Sequence, residues 1–307
     1  MTAPVRGKEP LLYGLILLMV LFWSGNYIAA KIALRAMPAM LAVSLRIVIA
    51  GIAILPIFAA QQRNPSSRDH WTAKEGFHLF LLGVLGVTLN QVFFVIGVGM
   101  TSVAHAGIII ALTPILVLLL AALMGQERIS TGAVAGMAIA IAGVAVLQTW
   151  RGAAGTAQPS ATGDAVVFLA ALMFSLFTVF GKRIAERRSA ITVNTFGYAG
   201  GAVILLPVAI RYLRGLGGPG VTLIGWAAVI YMALFPSVLA YLIYYWALKQ
   251  IPASRLAAFS YFQPLLAILL AAGILGERVT PAVAWAGLLI LAGVMWTERS
   301  RRREQPA

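Results

Sequence analysis

LTPILVLLLAALMGQERIS at 112–130 and FQPLLAILLAAGILGERVT at 262–280 are the stretches on which the reading of this chain turns. Set 150 positions apart, they align Pro114 with Pro264, Glu127 with Glu277 and Arg128 with Arg278. Prolines and charges are costly in apolar helices, so finding the same three in the same order points to duplication rather than to a shared richness in Leu and Ala. The match extends outward from there. Gly143 meets Gly293 at the same shift. At a shift of 151, Trp23, Ser24 and Lys31 meet Phe174, Ser175 and Lys182, and Pro56 meets Pro207.

The chain has 307 residues, of which 61% are hydrophobic and 10% charged, and its mean hydropathy is +0.92. A soluble domain of this length has no means of hiding so much apolar surface, so the bilayer is the natural solvent. Apolar runs of about 18 to 25 residues recur from Leu11 almost to the C-terminus. Breaking the chain at polar, Gly and Pro clusters predicts ten spans: 11–31, 38–60, 77–99, 104–124, 131–149, 164–182, 191–212, 222–247, 254–274 and 280–297. The first of these imitates a signal peptide, but about twenty apolar residues exceed the 7 to 15 of a signal core, so it reads as a helix. Five spans in each half is an odd number, which forces the second half to enter the lipid in the opposite orientation. The expectation is therefore an all-α membrane protein of ten transmembrane helices, built as two inverted five-helix repeats at 1–150 and 151–307 that form one integrated unit.

The net charge of +14 does not imply nucleic acid, because Lys and Arg sit in short breaks between apolar runs rather than along one surface. With the N-terminus inside, sixteen of the 23 basic residues fall on the inner side, which predicts that both termini are cytoplasmic. A bacterial-type inner membrane is the expected location. Without cysteine there is no disulfide framework and no thiolate chemistry.

With FWSGNYIAAK at 22–31, these paired segments, each followed by a Gly-rich last helix, resemble the paired domains of the EamA-type family in the drug/metabolite transporter superfamily. The resemblance covers nearly the whole chain. It implies a central cavity bounded by helices of both halves, alternating access, and cargo among amino acids, drugs and other metabolites. Amino-acid exporters of the YddG type are one subgroup it brings to mind.

Several polar residues lie at membrane depth. Pro114 should free the carbonyl of Ile110, and Pro264 that of Ser260; Thr113 and Gln263 beside them suit either a substrate site with a hinge or a kink satisfied by packing. His105 and Arg255, eight residues earlier, share a helix face with them and are candidate gates. Arg46 is the one charge well inside a span, roughly 12 Å from its end at 1.5 Å per residue, and can meet a substrate carboxylate or brace kinked carbonyls. Trp23, Asn26 and Tyr27 interrupt the first span, where small neighbours allow close packing or local unwinding. Asn90 and Gln91 in the third span, with Tyr241 and Tyr244 in the eighth, complete the candidate substrate contacts, although an aromatic belt also accounts for Tyr244. Lys31 and Lys182 gate or snorkel.

No Asp or Glu lies in the middle of a span, which disfavours lipophilic cations and favours neutral, zwitterionic or anionic cargo. Gly181 and Lys182 are followed by Arg183 and lack the glycine of a phosphate loop, so ATP-driven pumping is not expected. His70 and His78 fall in or beside a loop, leaving His105 alone, and neither a zinc-protease nor a serine-hydrolase motif occurs. No enzyme activity, catalytic residue, cofactor or metal is expected. The partners implied are a small-molecule substrate and the lipid bilayer. The sequence leads to a secondary transporter of small amphipathic metabolites, amino acids first, working in efflux. A drug or other metabolite carrier of the same fold, a channel and an intramembrane enzyme are the alternatives, and monomer and homodimer are both left open.

Overall fold

The computed structural model describes residues 9–65, 68–125, 129–149, 160–215, 221–250, 256, 259 and 262–304. Among these the structure is all-helical. The helices are α1 (Glu9–Ala36), α2 (Ala39–Arg63), α3 (Ala73–Met100), α4 (Val103–Leu123), α5 (Thr131–Thr149), α6 (Ala161–Arg187), α7 (Ala190–Arg214), α8 (Leu223–Ala247), α9 (Phe262–Leu275) and α10 (Pro281–Glu304). Seven of them, α1 to α4 and α6 to α8, are long and apolar enough to cross a membrane, while α5, α9 and α10 carry shorter apolar stretches.

Large apolar side chains fill the interior and also cover the outside. Ile52, Ile141, Val203, Leu269 and Leu288 are exposed, whereas Ser24, Asn26, Ser44, Arg46, Thr88 and Gln91 are buried. An apolar exterior with polar groups inside suits hydrocarbon around the bundle.

Helix ends depart from the hydropathy reading. α1 continues past Lys31 to Ala36, α6 past Lys182 to Arg187, and α10 past 297 to Glu304. Lys and Arg are good helix formers, so backbone hydrogen bonding persists where the apolar run has ended. α1 is also uninterrupted at Trp23–Tyr27, so close packing rather than unwinding explains its small residues. Gly25 lies against the Tyr231 ring on α8.

Small residues let helices approach. A Cβ on Gly293 of α10 would meet the backbone of Gly136 and Ala140 on α5, and one on Gly83 of α3 would meet Gly197 of α7. Positions 150 or 151 apart do similar work. Gly125 and Gly276 follow or close α4 and α9 with positive φ, 67° and 68°. Ser130 and Thr280 accept the amides of Ala133 and Val283 at the starts of α5 and α10. Wide turns with i→i+5 hydrogen bonding occupy Val84–Leu89 in α3 and Ala233–Leu239 in α8.

Hydrogen bonds define the two ends of the bundle. At the near end, where α1 begins, Asp69 in the α2–α3 loop accepts from the Ser189 amide (2.9 Å) and the Thr192 hydroxyl (2.7 Å) at the start of α7. Arg188 joins Glu75 and the His70 carbonyl there. Partial burial pushes the Asp69 carboxyl up, but the hydrogen bonds from Thr192 and Ser189 and the Arg188 charge prevail and hold it below the usual carboxylate range. At the far end, where α1 finishes, Lys31 donates to the carbonyl of Thr101.

Candidate functional site

A cavity with about 100 Å³ open to water lies in the middle of the bundle. Of the nine residues read from the sequence as substrate contacts, eight line it: Trp23, Asn26 and Tyr27 from α1, Asn90 and Gln91 from α3, Thr113 from α4, Tyr241 from α8 and Gln263 from α9. Arg46 of α2 lines it as well. Tyr244 does not. Its ring packs against Trp23, with centroids 5.7 Å apart, because three residues on from Tyr241 the helix has turned it about 60° away from that side chain.

The walls are held from outside. Trp23 Nε1 donates to the Pro236 carbonyl (3.1 Å) in the wide turn of α8. Asn90 Nδ2 donates to the Ala170 carbonyl on α6 (2.8 Å), and Gln91 Nε2 to the Tyr198 hydroxyl on α7. Tyr241 packs edge-on against both Trp23 and Tyr198. Phe94, Ile110 and Phe174 complete the apolar side. Sequence pattern assigns these three no binding role, since nothing in an apolar side chain's spacing distinguishes a cavity wall from core.

Arg46 is 3% exposed, and its Nε donates to Ser237 Oγ at 2.9 Å; that hydroxyl in turn donates to the Met232 carbonyl at the wide turn of α8. The guanidinium therefore braces this turn. Among the described residues its Nη1 has no protein partner, nor do Asn26 Oδ1, Tyr27 OH and Gln91 Oε1. Among the described residues no carboxylate lines the cavity. The side offers one cationic donor, acceptors, and aromatic faces.

The Pro114 kink is met from within its own helix. α4 breaks at residues 111–112, just before Pro114, and the Ile110 carbonyl accepts from Thr113 Oγ1 at 2.6 Å. Ser175 Oγ approaches the Thr113 carbonyl at 3.5 Å, and at the shifted positions Ser24 Oγ approaches the Gln263 carbonyl at 3.3 Å. Pro264 is buried in the first turn of α9, but Ser260 lies outside the described residues.

Two of the four candidate gates, His105 and Lys31, do not line the cavity. His105 sits at the far end, 3.0 Å from Asp164 of α6, and Lys31 reaches Thr101 there. Arg255 and the Lys182 side chain lie outside the described residues. Asp164 opens the expected span 164–182, and His105 meets it from the other half of the chain, which no local pattern reveals.

A family model described as the EamA-like transporter family matches residues 11–149 and again 161–298. The chain belongs to that family. It is thus a multi-pass membrane transporter with a small-molecule substrate. Relatives of this EamA-like chain include an uncharacterized transporter of Archaeoglobus fulgidus, 29% identical over 92% of this chain and 97% of its own length. A probable terminal-alkyne amino-acid exporter of Streptantibioticus cattleyicolor is 29% identical over 94% and 95%. The uncharacterized inner membrane transporter YedA of Escherichia coli K12 is 24% identical over 93% and 90%. A solved crystal structure shares the fold at a TM-score of 0.65 and 24% identity, covering 95% of this chain and 97% of that one.

Proposed function

We propose that this EamA-like transporter is a secondary carrier exporting small neutral amino acids across an inner membrane. It works by alternating access between two inverted five-helix halves, 1–150 and 151–307, with both termini cytoplasmic. The observation that carries the cargo reading is the unpaired Nη1 of buried Arg46, facing a cavity to which no described residue brings a carboxylate. A buried cation without a counter-ion is costly, and a substrate carboxylate relieves that cost. Asn26 Oδ1 and Gln91 Oε1 are acceptors for an ammonium group, and Trp23, Phe94, Phe174 and Tyr241 suit an apolar or aromatic side chain. The related amino-acid exporter of Streptantibioticus cattleyicolor supports the same cargo class.

The matched capping residues, wide turns and Ser-to-carbonyl approaches support the duplicated arrangement, in which two similar halves rock around a central site. Purified protein in liposomes preloaded with one neutral amino acid tests the function. Saturable exchange for external labelled amino acid, lost when the carboxylate is esterified, is the expected result. Indifference to the ester removes the Arg46 contact, and absence of saturable exchange with any amino acid removes the cargo class.

A further inference from the structure

Most polar groups of the cavity wall are already held by the protein. Trp23 Nε1 donates to the Pro236 carbonyl, Asn90 Nδ2 to that of Ala170, Thr113 Oγ1 to that of Ile110 and Gln91 Nε2 to the Tyr198 hydroxyl. Among the described residues that line the cavity, four buried polar atoms have no protein partner: Arg46 Nη1, Asn26 Oδ1, Gln91 Oε1 and Tyr27 OH. The head group of an α-amino acid accounts for three of them, its carboxylate meeting Arg46 and its ammonium meeting Asn26 and Gln91. The Tyr27 hydroxyl is the remainder.

Tyr27 is 0% exposed, and its ring stands edge-on to Phe94 with centroids 4.9 Å apart. Phe94, Ile110 and Phe174 form the apolar side of the cavity, so Tyr27 belongs to the wall left for the cargo side chain. Packing does not need its hydroxyl. A phenylalanine would fill the same space without burying an unpaired polar atom, which is costly. The cavity's 100 Å³ is the share of about three liquid waters at ~30 Å³ each, so the cargo that fits without parting the walls has a short side chain.

We infer that Tyr27 is a specificity-determining residue, selecting amino acids with a hydroxyl on a short side chain, serine and threonine, over alanine and valine. A hydroxyl carries one donor and two acceptor lone pairs, so the cargo hydroxyl and that of Tyr27 pair with one another while the remaining carbons of the side chain lie on the aromatic rings. The sign of the preference is diagnostic. A purely apolar pocket favours valine over threonine by a modest factor, whereas a pocket built around a buried hydroxyl rejects valine, which leaves that hydroxyl unpaired. This inference rests on the amino-acid reading of the cavity given above.

The test is exchange in liposomes with labelled serine, threonine, alanine and valine, for wild type and Tyr27→Phe. In the wild type the KM for threonine should lie below that for valine by about tenfold or more, with serine and alanine in the same order. In Tyr27→Phe the two ratios should collapse to about one. Because the substitution removes a hydroxyl without a protein partner, the cargo-free variant should keep or raise its thermal midpoint, and threonine should no longer raise that midpoint more than valine does. Tyr27→Leu gives the same readout if the phenylalanine variant does not elute as a folded species. A wild type that treats threonine and valine alike or prefers valine would overturn the inference, as would a threonine preference that survives in the folded variant. Equal weakening of threonine and valine in Tyr27→Phe would put the hydroxyl on the head group and overturn it too. Absence of saturable exchange with any amino acid would instead remove the cargo class itself.

Discussion

Arg46 shows how one residue holds two roles. Its Nε fixes the wide turn of α8 through Ser237, and its Nη1 is left for the cavity. Replacing it by Lys keeps the charge but loses the fork that serves both directions. Arg46→Lys should therefore lower exchange by about tenfold or more, corresponding to the 1.5–3 kcal/mol of a charged hydrogen bond, while the protein still elutes as a folded species. Asn26→Ala and Gln91→Ala should raise KM more than they lower kcat, because each removes an acceptor proposed to meet the bound substrate. Unchanged KM in both would remove Asn26 and Gln91 from the site. Tyr244→Phe should leave transport as it is, since that ring lies outside the cavity lining. Intramembrane polarity made Arg46, Asn26 and Gln91 legible in the sequence. That Tyr244 lies outside the cavity lining was not legible, because an aromatic residue at membrane depth says nothing of which way its helix is turned.

At the scale of helices, glycine decides which pairs can touch. Gly293→Leu would drive a side chain into the backbone of Gly136 and Ala140, where nothing flexible is available to give way. Overpacking of this kind costs about 1–3 kcal/mol, so a clear fall in the thermal midpoint of the detergent-solubilised protein is expected, and an unchanged midpoint would contradict the α5–α10 contact. The near-end loop has a different signature. Because folding holds the Asp69 carboxyl below its ordinary value, its contribution to stability is complete above about pH 4 and fades as pH falls through the lowered value. The midpoint difference between wild type and Asp69→Asn should therefore be present at pH 7 and shrink below pH 4; a difference that persists undiminished in acid would assign it to packing. Apolar run lengths revealed which helices exist, but their ends were misjudged wherever Lys or Arg continued the helix beyond the hydrocarbon-compatible part.

At the scale of the molecule, the proposed inversion makes one plain prediction. Reporter tags after residues 155 and 303 should appear on opposite sides of the membrane, the second in the cytoplasm; tags on the same side would contradict the inverted halves. The membrane character, the repeated Pro-to-Glu-Arg stretch and most of the cavity residues followed from the amino-acid sequence alone, because lipid forces apolar runs of set length and makes every polar residue within them conspicuous. Only the tertiary structure decided that His105 meets Asp164 across the halves, that Ser237 takes one side of Arg46, and which aromatic rings face the cavity. Those outcomes depend on the rotation and approach of helices distant in sequence, set by glycine contacts and hydrogen bonds that no local spacing encodes.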